Sequence, residues 1–175
     1  MFRFAIEKLL MWKEKEARKP LIIMGARQVG KTWLMKEFGK KYYEKTAYIS
    51  FYNNQRMNEV FQTDFDIERI LMNLNIESGV TITPEDTLII LDEIQNAPKA
   101  LESLKYFCEE APQYHVAAAG SLLGCEYDRL CLRTLGYELS ATLSYEGSLG
   151  VLVALDYGSR FDGQFSAVGD VDPTF

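Results

Sequence analysis

Short apolar runs alternate with amphipathic stretches over roughly the first 120 residues of this chain. Continuous apolar runs lie at Leu21–Met24, Leu88–Leu91 and Val116–Ala119. Runs of this length and composition are typical of strands that are buried on both faces of a parallel sheet. Residues Thr46–Phe51 instead alternate apolar and polar positions, which is the pattern of a strand with one covered face. The pattern therefore predicts four strands.

Four segments around these strands repeat their apolar residues at the spacing of an amphipathic helix. Gly39 is expected to end the helix after the first strand, because glycine suits the left-handed position that follows many helices. Pro98 can begin the last helix, since proline fits the first helical turn. The alternation predicts an α/β fold, with a central, mainly parallel sheet flanked by helices. The four helical segments are residues 4–13, 34–38, 67–74 and 98–110.

A phosphate-binding motif follows the first predicted strand. Residues Gly25–Thr32 read GARQVGKT, which matches GxxxxGK[ST]. In this motif backbone N–H groups surround the β-phosphate, Lys31 reaches the β- and γ-phosphates, and the Thr32 hydroxyl ligates Mg²⁺. A glycine-rich loop without a nucleotide is the competing interpretation, and the flanking strand and helix argue against it. The expected nucleotide-binding residues are Gly25, Ala26, Arg27, Gln28, Val29, Gly30, Lys31, Thr32 and Trp33.

A second candidate element is the apolar run Thr87–Leu91, which leads directly into Asp92 and Glu93. Strands of this kind in P-loop proteins deliver an aspartate to Mg²⁺ and a glutamate to the attacking water. On its own the pair could be a solvated acidic loop, but downstream of GARQVGKT the functional interpretation is favoured. The adjacent Glu93 also favours hydrolysis over nucleotide-kinase chemistry.

The third candidate element is the run Tyr114–Ala119, which ends at Gly120 and Ser121. In ATPases with an additional strand between the P-loop strand and the acidic strand, a polar residue here senses the γ-phosphate or orients the water. We expect Ser121 to lie level with Asp92 and to have this role. A serine that caps a helix or a turn is the alternative.

Three segments carry a family resemblance: RKPLIIMGARQVGKTWLMKEF, TLIILDEIQNAPKALESLKYF and YHVAAAGSLLG. They resemble the AAA-type core of a prokaryotic ATPase family whose members carry a further C-terminal domain. The resemblance covers residues 1–124. It implies a three-layer P-loop NTPase fold of the RecA/ASCE type, ATP and Mg²⁺ as ligands, and catalytic or ligand roles for Lys31, Thr32, Asp92, Glu93 and Ser121. It does not supply a cellular role.

Residues 125–175 differ from this pattern. The last lysine of the chain is Lys105, and the remainder is rich in glycine. We therefore expect an ATPase core at 1–124 and a divergent tail at 125–175, which is either truncated or frame-shifted or else contributes a divergent fifth strand around Gly150–Leu155. Arg129 and Arg133 are candidates for an arginine finger, although a solvated face is the simpler interpretation.

Composition and charge indicate which classes of partner are expected. The 175 residues carry a formal charge of −6 and have a pI near 4.9, which disfavours broad nucleic-acid binding. The apolar stretch Leu9–Trp12 is too short for a signal peptide or a membrane span, so a cytoplasmic protein is expected. Three cysteines without metal-ligand spacing indicate reduced thiols, and His115 is expected to be a packed core residue.

The leading hypothesis from the sequence is Mg²⁺-dependent ATP hydrolysis that drives a conformational change in an unidentified partner or a missing domain, with a protein partner or self-association as possible partners. The rival hypothesis is a nucleotide-binding module or incomplete fragment without turnover, and a small-molecule kinase is a third.

The sequence leaves two interpretations open for each of several residues around the motifs. Arg27 and Gln28 either contact phosphate or a partner, or they face solvent. Arg18 either approaches the adenine or ends a helix, and Gln95 either contacts the attacking water or couples the site to a partner.

Overall fold

The computed structural model describes residues 2–16, 18–25, 28, 30–121, 137–144 and 151–157. Side chains are described for most of residues 5–120. None of the helices in this part of the chain combines the length and the apolar character that a membrane span requires. The strands are β1 Leu21–Gly25, β2 Lys45–Ser50, β3 Thr87–Asp92, β4 His115–Ser121, β5 Tyr137–Ser144 and β6 Val151–Tyr157. The helices are α1 Phe2–Lys13, α2 Lys31–Tyr42, α3 Gln55–Thr63, α4 Ile67–Ser78 and α5 Pro98–Glu110, with a short 3₁₀ helix at Ile94–Asn96.

The described strands form one sheet in the order β2-β3-β4-β1-β6-β5. The first four are mutually parallel, whereas β6 pairs antiparallel with both β1 and β5. The expected mainly parallel sheet is therefore confirmed. Strand β4 lies between the P-loop strand β1 and the acidic strand β3, as the RecA/ASCE arrangement requires. Strand β2 is parallel to β1 but lies at the far edge, beside β3.

Two hydrophobic clusters cover the two faces of the sheet. On one face, α3, α4 and α5 pack on alternate residues of the strands, such as Ile22 and Ile89. On the other face, α1 and α2 pack on the intervening residues, such as Ile23 and Ile90. Because each parallel strand contributes to both clusters, its residues are apolar in a continuous run. The expected three-layer architecture is confirmed.

The expectation that Gly39 ends α2 is wrong. The helix continues to Tyr42, and the N–H of Tyr43 closes its last turn on the carbonyl of Gly39 at 3.0 Å. A Cβ at position 39 would collide with Thr46 Oγ1 and lie 3.3 Å from Leu88 Cδ2. Gly39 therefore allows α2 to lie close against β2 and β3, and its absent side chain serves packing rather than termination.

Helix α3 was not anticipated from the sequence. Its first turn is capped by Asn54, whose Oδ1 accepts from the N–H of Met57 at 3.1 Å. Met57 and Phe61, four residues apart, are buried against the sheet. An asparagine followed by two large apolar residues at helical spacing is a readable signal. This signal is short, however, and the residues around Met57 and Phe61 are polar.

The tail contributes β5 and β6 to the same sheet as β1. The strand expected around Gly150–Leu155 under one of the two interpretations is present as β6. The domain boundary at residue 124 remains a prediction. Arg129, Arg133, Cys125 and Cys131 lie outside the described residues.

Candidate nucleotide-binding site

The phosphate loop joins the carboxyl end of β1 to the first turn of α2. Gly30 immediately precedes α2 and has φ 87° and ψ 17°. No atom lies within 4 Å of a Cβ built on Gly30, so the requirement for glycine is its left-handed backbone rather than crowding by described neighbours. Gln28 is also left-handed, with φ 64°. Ala26, Arg27 and Val29 lie outside the described residues.

The loop delivers the backbone N–H groups of the first turn of α2 to the carboxyl edge of the sheet. These amides lack partners within the helix and, together with the helix dipole, favour an anion. Thr32 and Trp33 lie in the same turn, and Trp33 is 55 % exposed. The described backbone at the start of α2 therefore has the properties that favour binding of a phosphate.

Lys31 is the first residue of α2 and is nearly buried, at 9 % exposure. Its Nζ donates to the carbonyl of Gly25 at 2.9 Å, so the ammonium group spans the loop. Burial lowers the pKa of Lys31, while the negative charges of Glu93 and Asp92 act in the opposite direction. The site thus places one cation beside two carboxylates under the loop.

Asp92, at the end of β3, is held by three donors and is 4 % exposed. Its Oδ2 accepts from Thr32 Oγ1 at 2.8 Å and from the Tyr48 hydroxyl at 2.9 Å, and its Oδ1 accepts from the N–H of Glu93 at 3.0 Å. Burial and the Asp92 carboxylate raise the pKa of Tyr48 to about 12, so the phenol stays protonated at neutral pH. The Thr32 bond joins the phosphate-loop helix to the acidic strand.

Glu93 follows Asp92 in a left-handed conformation, with φ 55°. This backbone is unusual for a side chain other than glycine, asparagine or aspartate. Gln95, in the short 3₁₀ helix, donates through Nε2 to Glu93 Oε2. A Cβ on Gly120 would lie 3.1 Å from Gln95 Oε1, so this glycine leaves room for the glutamine. Gln95 therefore contacts the candidate catalytic glutamate directly.

Ser121 occupies a different level from the one expected. The register pairs Leu91 with Ala118 on one side of β4 and Gly25 with Ser121 on the other. Ser121 is therefore level with the first residue of the phosphate loop, beyond the level of Asp92. Only its backbone is described, and its sensor role remains a prediction.

Two other residues considered from the sequence lie at the opposite edge of the sheet. Arg18 precedes β1 and donates to the carbonyls of Lys13 at 2.9 Å and Pro112 at 3.4 Å, away from the phosphate loop. His115 begins β4 and is buried, with its Nδ1 2.6 Å from the Tyr43 hydroxyl, which confirms it as a core residue. The structure thus separates both residues from the candidate site.

The described residues fit a divalent cation bound with a phosphate. Thr32 and Asp92 present a hydroxyl and a carboxylate oxygen in contact, which are the oxygen ligands that Mg²⁺ prefers. A hydroxyl that donates its hydrogen to a carboxylate keeps its oxygen lone pairs for a cation. Tyr48 was missed by sequence reasoning, because its contact with Asp92 depends on how β2 aligns with β3.

Comparison with known proteins agrees with this geometry. A protein-family model described as "AAA domain" matches residues 17–131, which is more than half of the chain. Neither the curated proteins nor the solved structures gave a match. The matched range contains the phosphate loop, the acidic strand and β4, and an AAA domain implies nucleotide binding. The chain therefore belongs to the AAA domain family of P-loop ATPases.

Proposed function

We propose that this chain binds ATP together with Mg²⁺ and hydrolyses it. The observation that carries the proposal is the 2.8 Å hydrogen bond between Thr32 Oγ1 and Asp92 Oδ2. Those two residues lie sixty positions apart and belong to the two motifs that the chemistry requires. Their contact brings the phosphate loop and the acidic strand into one site.

Each described residue has a role that its position supports. The N–H groups at the start of α2 bind the phosphates, and Lys31 supplies a positive charge to them. Thr32 and Asp92 would hold Mg²⁺, which when bound neutralises charge on the phosphate oxygens. The ammonium of Lys31 would exchange its bond to the Gly25 carbonyl for a phosphate oxygen.

Glu93 is the candidate group for positioning and deprotonating water. Its carboxylate accepts from Gln95, which orients it from one side. A carboxylate that accepts a hydrogen bond from an attacking water withdraws its proton as the bond to phosphorus forms. Hydrolysis is proposed over transfer to another acceptor because this carboxylate lies beside Asp92. Ser121 is proposed as the sensor of the γ-phosphate.

Several finer features belong to the same proposal. ATP is preferred over GTP by analogy with AAA domains, and the hydrolysis cycle drives a conformational change in an unidentified protein partner. The chain acts in the cytoplasm, and Arg27, Gln28 and Trp33 take part in nucleotide binding. Nucleic acid is not proposed as a partner, given the formal charge of −6.

The test is Glu93→Gln, which preserves size and hydrogen-bonding capacity but removes the base. Phosphate release should fall by on the order of a hundredfold or more, while stabilisation by Mg-ATP against thermal unfolding is retained. Glu110→Gln, an exposed change at the end of α5, is the matched control and should alter neither quantity.

Two outcomes would count against parts of the proposal. Phosphate release that is equal in Glu93→Gln and the unmodified chain would exclude Glu93 as the base. Stabilisation by Mg-ATP without any phosphate release from the unmodified chain would favour the rival function, a nucleotide-binding module without turnover.

A further inference from the structure

Tyr48 has a contact that the proposed ATPase chemistry does not by itself explain. Its hydroxyl donates to Asp92 Oδ2 at 2.9 Å, the same oxygen that accepts from Thr32 at 2.8 Å. Strand β2 therefore supplies a side chain to a site otherwise built from the phosphate loop and β3. A buried carboxylate oxygen that accepts two hydroxyl donors is fixed in direction.

The sheet register explains why tyrosine reaches this oxygen. Tyr48 pairs with Ile90, and Ser50 pairs with Asp92, so Tyr48 starts two residues short of the carboxylate. Two residues of a strand cover about 6.6 Å. A phenol has the length to cover this step along the face that α2 packs on, with its ring against the apolar cluster there.

Helix α2 holds the ring of Tyr48 in place. Lys36 Nζ lies 3.4 Å from the centroid of this ring, which is the geometry of a cation–π contact. Lys36 is four residues after Thr32, so the two side chains leave the same face of α2 one turn apart. Tyr48 is thus restrained by α2 at its ring and by Asp92 at its hydroxyl.

The chemical type of the group that donates to Asp92 affects how well Asp92 can bind a cation. A lysine or arginine donor at this position would neutralise Asp92 and compete with a divalent cation for it. A phenol fixes the carboxylate without adding charge, so Asp92 keeps its full negative charge for the cation. Groups that orient metal ligands in this way commonly affect metal affinity by on the order of 10- to 100-fold.

Resting on the proposed Mg²⁺-nucleotide function, we propose that Tyr48 is a positioning residue that sets the divalent-cation affinity of the site by orienting Asp92, with Lys36 holding its ring. Nucleotide binding through the phosphate loop and Lys31 does not depend on the Tyr48 hydroxyl. Its removal therefore changes the cation requirement and leaves binding of the nucleotide without the cation unchanged.

The experiment is a Mg²⁺ titration of the full chain at a fixed, saturating ADP concentration, read as the midpoint of thermal unfolding. Tyr48→Phe should raise the Mg²⁺ concentration for half of the effect by on the order of tenfold. The stabilisation by ADP in EDTA should be the same as in the unmodified chain. Tyr106→Phe is the matched control, since that ring stacks on Phe65 beside α5, on the opposite face of the sheet.

A second variant keeps the inference testable if Tyr48→Phe does not fold. Lys36→Met removes only the cation above the ring and should raise the Mg²⁺ midpoint by about two- to fivefold. Lys40→Met is its control, an exposed lysine one turn further along α2. A Mg²⁺ midpoint unchanged in the variants at positions 48 and 36 would overturn the role of Tyr48. Absence of any Mg²⁺ response in the unmodified chain would instead overturn the proposed cation site and, with it, this inference.

Discussion

The two edges of the parallel sheet both carry polar side chains, but they use them differently. At the carboxyl edge, Asp92 accepts from Thr32 and Tyr48, and Lys31 lies beneath the phosphate loop. These contacts link side chains from separate elements around a pair of carboxylates. At the amino edge, Trp12 donates to the carbonyl of Lys19 shortly before β1, and Arg18 donates to the carbonyl of Lys13 at the end of α1.

The amino-edge residues form a cluster that we define as Trp12, Lys13, Arg18, Tyr43 and His115. Its rings meet edge to face, with Tyr43 and His115 centroids 5.1 Å apart and Trp12 and His115 centroids 6.3 Å apart. The His115 imidazole lies among aromatic rings, and the cationic groups of Lys13 and Arg18 are near it. The arrangement ties α1, α2 and β4 together, and its five members include no carboxylate.

The difference follows from the topology. In a parallel α/β sheet, helices start near the carboxyl ends of strands, so free N–H groups and loop side chains collect at that edge. At the amino edge helices end, and their last carbonyls accept from donors such as the Lys13 ammonium, on Tyr42, and the Arg18 guanidinium, on Lys13. Polar side chains at the carboxyl edge are thus suited to binding ions from solution. Polar side chains at the amino edge are suited to joining the elements of the fold.

The sharpest test of this comparison is Lys31→Ala beside Arg18→Ala. Mg-ATP at about a hundred times its Kd should stabilise the unmodified chain by roughly 2.7 kcal/mol. Lys31→Ala should lose most of this increment, because it removes the cation that we propose binds the phosphates. Arg18→Ala should lower stability in the absence of ligand, since its guanidinium is half-buried, yet keep the increment.

Thermal or urea unfolding with and without Mg-ATP measures both quantities. The comparison would be wrong if Arg18→Ala also lost the ligand increment, because the amino edge would then take part in nucleotide binding. It would equally fail if Lys31→Ala kept the full increment.

The second test concerns α2, which runs from the carboxyl edge to the amino-edge cluster. Alanine is favoured over glycine in a helix by about 1 kcal/mol. At Gly39, however, a Cβ would meet Thr46 and Leu88, and overpacking of this kind costs about 1–3 kcal/mol. We expect the packing cost to exceed the helix preference, so Gly39→Ala should lower the free energy of unfolding in urea.

Lys40→Ala, at the exposed neighbouring position, is the control and should change stability by a few tenths of a kcal/mol. A more stable Gly39→Ala would show that α2 can move away from the sheet. The close approach would then not be what fixes the distance between the two edges.

Local sequence was sufficient for the parts of the molecule that depend on short patterns. The four parallel strands, the loop before α2, the acidic tip of β3 and the proline start of α5 all follow from a few consecutive residues. Only the place of β4 between β1 and β3 was expected, and that expectation came from the resemblance, since no local pattern states which strands pair. Gly39 was misread because a glycine near a predicted helix end also suits a close helix–sheet contact.

The contacts that were missed depend on register between distant strands. Tyr48 reaches Asp92 only because β2 pairs with β3 in one particular alignment. The level of Ser121 likewise depends on the pairing of β4 with β1 and β3. A shift of two residues would preserve every hydrophobic pattern in the sequence while moving these side chains by about 6.6 Å. Sequence therefore predicted which residues belong to the candidate site more completely than it predicted where those residues lie.

The last effect we predict depends on pH and comes from His115 in the amino-edge cluster. Burial, Arg18 and Lys13 lower its pKa to about 3, compared with 6.5 for an ordinary histidine. Between those values the unfolded chain binds a proton that the folded chain does not. The free energy of unfolding should therefore fall as pH decreases from about 6.5 towards 3, by at most about 1.4 kcal/mol per pH unit from this group.

His115 is the only histidine in the sequence, so its imidazole contribution can be isolated. We would measure urea unfolding at pH 7, 6 and 5 for the unmodified chain and for His115→Gln. Carboxylates titrate in both proteins, so the difference between their stabilities removes that common part. This difference should shrink or reverse as pH falls, because only the unmodified chain gains a proton on unfolding at position 115. A difference that stays constant would mean that the imidazole can accept a proton in the folded protein, and the amino edge would then be open to solvent ions like the carboxyl edge.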